Sequence, residues 1–274
     1  MGRVSSLAIV FCFLAAGMAR ADVVVLEPVQ VGGFYAGGAT PDNLPSFQNY
    51  YVGYGSLTGG GRTPERRSFF HFDLSGVSGD IVSATLELKL IFGGLIYGKG
   101  PGTPPDPIPS DTFEEFQLGG VFDPGLPASK FTSTMLTPSE ITGIFGAMDD
   151  APIAPPLVFT MGGPPPPDPI VITLGAGGLT LLEMKAGGDV VLTGWMPTWS
   201  FDSRMFMGGF VEGSELIFLG TDVHLSHFPK PVLTITTAVP EVSASVMLGI
   251  AAITGAVIRY WNRAARRRLK SRCH

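Results

Sequence analysis

Alternation of apolar and polar positions is the most telling pattern in this 274-residue chain. Ala84, Leu86, Leu88 and Leu90 alternate with Thr85, Glu87 and Lys89. That period of two puts all four apolar side chains on one face of a strand. Phe70, Phe72 and Leu74 alternate with His71 and Asp73 in the same way. Short runs rich in β-branched and aromatic residues predict further strands at 23–26, 49–54, 157–161, 170–174, 190–195, 216–219, 223–225 and 232–236. Strands do not exchange regularly with helical periods. The expected fold is therefore mainly β, an antiparallel β-sandwich or jelly roll with one or two short helices.

Helical spacing occurs in two places. Thr137, Pro138, Ser139 and Glu140 form a capping box with proline at the first helical position, and Ile141, Ile144, Phe145 and Met148 follow on one face. A second helix is predicted over 179–185, stopped by Gly187 and Gly188. The 37 glycines and 24 prolines make up about a fifth of the chain, below the level of structureless low-complexity sequence, and read as turns. Proline-dense stretches at 98–109, 151–156 and 162–169 read as stiff connectors.

The two ends follow different rules. Residues 242–258 carry no charge, and as a helix rising about 1.5 Å per residue they approach the thickness of a bilayer core. Seven basic residues and no acidic one follow, among them Arg259, Arg263, Arg266, Arg267 and Arg268, so the C-terminus is expected on the cytoplasmic side. At the other end, Arg3 precedes an apolar stretch at 7–16, and Ala19 and Ala21 are the small residues read by a signal peptidase, which would cut before Asp22. The resulting division is a signal peptide at 1–21, an exported body at 22–237, and a tail at 238–274 comprising a short motif (239–241), a membrane helix (242–258) and a basic segment (259–274).

In this arrangement the tail resembles the PEP-CTERM sorting signal of bacteria that build extracellular matrices. The matching residues are Val239, Pro240 and Glu241, the apolar helix, and Arg266, Arg267 and Arg268. Val242 stands where that family usually has a second proline. The resemblance implies a partner, a membrane-embedded processing protease of the exosortase type, and delivery of the body to the cell surface or extracellular matrix. A looser resemblance covers about 25 residues, with Phe69, Phe70, His71, Phe72, Asp73 and Leu74 followed by Ile81, Val82, Ala84, Leu86 and Leu88. It is similar to a strand pair of exported β-sandwich domains and brings no catalytic residue with it.

Charge and cysteine content narrow the function classes. The exported body holds nine Lys and Arg residues against all twenty-three Asp and Glu residues, a net charge of −14, which argues against a nucleic-acid partner. Its one basic cluster, Arg62, Arg66 and Arg67 beside Glu65, reads as a solvated, partly self-neutralised loop. Cys12 and Cys273 both fall outside the body, so its stability must come from its core, and it has neither thiol nucleophile nor cysteine metal site.

Candidate chemistry is sparse. His224 and His227, three apart in extended chain, point to opposite faces and form no metal pair. His71 and Asp73 share a face but have no nucleophile motif beside them, and read as a surface hydrogen bond. The neighbouring acids Glu114 and Glu115, and Asp149 and Asp150, read as exposed element ends, and Asp222 lacks the alternating acids of a calcium loop. Gly175, Gly177 and Gly178 lack the spacing and lysine of a phosphate cradle. No catalytic residue, metal ligand or cofactor is therefore assigned. Trp195 and Trp199 are the candidate sugar contacts, because exposed aromatic rings stack on sugar faces, with core packing the competing role for Trp195. The sequence thus describes an exported, non-catalytic surface or matrix protein that contacts polysaccharide. A membrane-tethered hydrolase using Asp and Glu is the alternative.

Overall fold

The structure, a computed structural model, describes residues 21–38, 49–54, 65–88, 95–99, 113–149, 151–160, 169–197, 204–206, 209–211, 214–220 and 230–238, with residues 254, 255, 259 and 260. It is mainly β. In chain order the strands are β1 (Ala21–Leu26), β2 (Gln30–Tyr35), β3 (Asn49–Tyr54), β4 (Arg66–Asp73), β5 (Asp80–Leu88), β6 (Leu95–Lys99) and β7 (Phe113–Gly120). They continue with β8 (Leu157–Thr160), β9 (Ile170–Thr173), β10 (Asp189–Trp195), β11 (Arg204–Phe206), β12 (Gly209–Val211), β13 (Ser214–Gly220) and β14 (Val232–Ala238). Three helices join them: α1 (Ala128–Phe131), α2 (Pro138–Ala147) and α3 (Ala176–Lys185).

One sheet runs β1-β14-β5-β9 and the larger runs β6-β13-β3-β4-β10-β7-β8, with β2 also paired to β4. The central register, Asp189 opposite Asp73 through Gly194 opposite Ser68, is antiparallel, as are β2 on β4 and β5 on β9. Alternation assigns the faces. Ala84, Leu86 and Leu88 of β5, Ile170 and Ile172 of β9, and Leu233 and Ile235 of β14 share one buried apolar cluster with Phe70 and Phe72 of β4, Val190 and Leu192 of β10, and Phe116 and Leu118 of β7. The intervening residues of β4 and β10 turn the other way. Phe69 and Val191 join Phe34 in a second cluster with Phe131 of α1 and Ile141, Ile144 and Phe145 of α2. Phe34, Phe69 and Phe131 meet there with ring centroids 5.6–5.8 Å apart, the tilted and edge-on contacts that aromatic quadrupoles favour. Strands β4 and β10 are thus covered on both faces, which is why β4 is buried from Arg66 to Phe72.

Several strand glycines are there for space rather than for turning. A Cβ on Gly33 of β2 would strike the Arg66 guanidinium, one on Gly119 of β7 the Trp195 ring, and one on Gly120 the Leu181 side chain. Gly194 of β10 in the same way receives the Phe116 ring. Large side chains fill the notches, so β2 and β7 remain strands despite their paired glycines.

Helix α2 begins as its sequence predicts. Thr137 is the N-cap, its hydroxyl accepts from the Glu140 amide, the Glu140 side chain accepts from the Thr137 amide, and Pro138 occupies the first turn. Helix α3 starts at Ala176, earlier than the expected 179, and ends at Lys185, after which Gly187 adopts a φ of 79° open to glycine without strain. Strands β2, β6, β7, β11 and β12 and helix α1 were not predicted by the alternation. The strand expected at 223–225 lies outside the described residues, as does most of 242–258, where only Thr254 and Gly255 are described and are helical. Among the described residues no helix is long and apolar enough to cross a membrane.

Candidate functional site

Strand β4 collects the polar chemistry of the body. Arg66 and Arg67 stand at its start, and the expectation of a solvated basic loop is corrected for both: they are 1% and 9% exposed. Pairing on both edges of β4 and cover on both its faces carry these arginines out of solvent. Alternation sends Arg66 toward Ser68, whose hydroxyl accepts from Nη1 at 3.1 Å, with its guanidinium in the Gly33 notch. Arg67 faces the helices. Its Nε donates to Glu65 at 2.9 Å, Nη2 pairs with Asp149 at 2.8 Å, Nη1 donates to the Phe145 carbonyl at 2.8 Å, and its Cζ sits 4.1 Å from the centre of the Phe145 ring. Each guanidinium nitrogen therefore has a partner. The Phe145 carbonyl belongs to the last turn of α2, where orphan acceptors and the negative end of the helix dipole favour a cation. Thr193 of β10 donates its hydroxyl to the neighbouring Met148 carbonyl at 2.7 Å, completing a two-point attachment of the helix end to the sheet.

Further along the same face of β4, His71 is buried and its Nε2 lies 3.0 Å from Asp189 Oδ1 on β10. The expected surface hydrogen bond is therefore corrected: the imidazole is enclosed. Its Nδ1 is buried without a hydrogen-bond partner, and no hydroxyl contacts the imidazole among the described residues. Asp73 stands directly opposite Asp189 in the register. The Ser75 backbone N–H, donating at 2.8 Å, holds the Asp73 carboxyl below its ordinary value, assisted by the Ser75 hydroxyl and the attraction of His71. The hydrogen bond to Asp189 and the pairing of β4 with β10 fix the orientation of the imidazole.

At the far side of the helical layer, Glu140 is held down to about 2, chiefly by the Lys130 ammonium and then by the Thr137 amide and hydroxyl. Lys130 lies on α1, so this pair ties the two helices together at the start of α2. Gln117 of β7 donates to the Leu118 and Ala154 carbonyls, satisfying a buried amide next to the connector after α2.

Trp195 is 7% exposed with its ring over Gly119: of the two roles the sequence offers it, core packing is the one seen, and β10 turns the ring into the molecule. Ala21 is the first residue of β1 and is exposed. Val239, Pro240, Glu241, Arg263, Arg266, Arg267, Arg268, Ala19, Trp199, His224, His227, Asp150 and Asp222 lie outside the described residues. Asp149, expected at an exposed element end, is half-exposed and paired with Arg67. Among the described residues no group of three or more His, Cys, Asp or Glu side chains is placed to hold a metal ion. Gly175, the N-cap of α3, donates its amide to the Ile153 carbonyl. Sequence reasoning missed the convergence on Arg67, because its acceptor Phe145 is 78 residues away. A weak signal did exist, in an acidic pair placed just after a predicted helix and a basic pair placed just before a predicted strand. The sequence matches no family model and has no match among curated proteins.

Proposed function

We propose that this chain is an exported, non-catalytic surface or matrix protein: a β-sandwich body delivered by its C-terminal tail and cut free by a membrane-embedded protease of the exosortase type. The observation that carries this reading is the order of the tail. Val239, Pro240 and Glu241, seventeen uncharged residues and an all-basic segment follow one another directly after the last strand. The uncharged run favours the bilayer and the basic segment favours the cytoplasm, which puts the body outside. Two further features support it. The body contains no cysteine, so export to an oxidising compartment adds no disulfide requirement. Its two larger sheets and helical layer bury large apolar side chains in two clusters, a source of stability that needs neither metal nor cofactor. With Trp195 turned inward, Trp199 carries the proposed polysaccharide contact.

Mass spectrometry of the surface fraction of expressing cells tests the reading. The expected product starts at Asp22 and ends near Glu241. Recovery of the intact precursor, with residues 242–274 attached, as a soluble cytosolic protein would overturn it.

A further inference from the structure

The body carries no cysteine, so methionine supplies all of its sulfur chemistry. Among the described side chains the fold sorts methionines into two kinds. Met148 and Met196 are each 1% exposed. Met148 follows α2 and belongs to the cluster of Phe34, Phe69 and Phe131, and Met196 follows β10 and belongs to the larger apolar cluster. Met135 and Met184, by contrast, are 92% and 62% exposed. Met135 stands in the connector between α1 and α2, where its amide donates to the Ser133 hydroxyl at 3.3 Å and the next residue, Leu136, packs against the helical cluster. Met184 lies in the last turn of α3, whose Leu181 and Leu182 are fully buried. In both places the neighbours anchor the chain and the thioether is left in water.

A thioether in water is open to peroxides. Sulfur attacks one oxygen of hydrogen peroxide, the O–O bond breaks and an S–O bond forms. Sulfur gives up two electrons, the proton on the transferred oxygen passes to the departing hydroxide, and water leaves. The product, methionine sulfoxide, puts a strong hydrogen-bond acceptor on a side chain that was apolar. At Met148 or Met196 that oxygen would stand in an apolar cluster, and the peroxide would reach the sulfur only after local opening. At Met135 and Met184 water supplies the donors. We infer that Met135 and Met184 are reversible oxidation sites, placed where the added oxygen leaves the fold intact, and that the partner they call for is a thiol-dependent methionine sulfoxide reductase. Such an enzyme returns the thioether as two thiols become a disulfide and the oxygen leaves as water. The inference rests on the proposed export only for its source of oxidant; the chemistry belongs to the folded chain.

The test exposes the purified full chain to hydrogen peroxide and follows each methionine separately by peptide mass spectrometry. Met135 and Met184 are expected to gain one oxygen at least about tenfold faster than Met148 and Met196, the factor set by even a modest local opening. The two stereospecific sulfoxide reductases, supplied with dithiothreitol, are expected to return both to the thioether. Met135→Gln combined with Met184→Gln, which places a polar side chain of similar length at each position, should leave the thermal midpoint unchanged. Comparable rates at Met148 or Met196, a lowered midpoint in the double variant, or sulfoxides that the reductases leave in place would each overturn the inference. None of these outcomes touches the sorting function, which stands or falls on the surface fraction.

Discussion

Arg67 joins three parts of the chain through one side chain: Glu65 before β4, the end of α2, and Asp149 beyond it. Replacing Arg67 with Met would leave the Phe145 carbonyl and two carboxylates without their cation. A loss of about 3 kcal/mol is expected, read from the urea midpoint, since breaking a buried pair from one side costs more than the pair itself contributes. Arg67→Lys should recover little of it, because the three N–H groups of an ammonium radiate from one nitrogen and cannot span the acceptors that Nε, Nη1 and Nη2 reach, nor lie flat on the Phe145 ring. Sequence placed these arginines in solvent for a physical reason. Adjacent Glu65 offered local neutralisation, whereas the groups that bury Arg67 arrive only with the tertiary fold. The notch at Gly119 makes a second residue-scale prediction. Gly119→Ala drives a methyl group into the Trp195 ring and should cost about 1–3 kcal/mol by denaturant unfolding. Shrinking the ring at the same time, with Trp195→Leu, should give a double variant more stable than the sum of the two single effects predicts.

Helix α2 shows how legible an element is when its determinants are local. The capping box, the proline and the buried stripe Ile141, Ile144 and Phe145 all lie within a dozen residues, and each was visible in the sequence. Its attachment by Arg67 and Thr193 was not, because strands β4 and β10 reach it from elsewhere in the chain. Thr137→Ala should cost about 1 kcal/mol in thermal unfolding, the usual value of an N-cap. The pH dependence of Glu140 has a defined sign. Its folded value, about 2, lies below the ordinary 4.5, so its stabilisation is fully present above 4.5 and is lost as pH falls toward 2. The difference in thermal midpoint between the wild type and Glu140→Gln should therefore be constant above pH 5 and narrow steadily across that acidic window. Strands β2 and β7 escaped prediction because Gly32 and Gly33, and Gly119 and Gly120, read as turns. Glycine signals a turn when it supplies an unusual backbone angle. In these strands it makes room for Arg66, Trp195 and Leu181.

For the body as a whole, an antiparallel, mainly β fold follows from the period-two runs, and the inward faces of β5 and β14 follow with it. Which strands become neighbours does not, since alternation says nothing about partners. The pairing of β1 with β14 joins the first and last strands of the body across some two hundred residues of intervening chain. Contacts of such sequence separation slow folding, and refolding of the isolated body is expected on the millisecond-to-second scale in stopped-flow measurements. Ile235→Ala, in the middle of β14, should cost about 2–5 kcal/mol by urea denaturation, because it empties a fully buried site between the sheets. Under the proposed delivery by the tail, the place of β14 between β1 and β5 has a mechanical consequence. Tension drawn through the tail enters the sheet at β14 and is shared at once by the ladders to β1 and β5, so the body resists being pulled apart more firmly than it would if its tether led from a border strand.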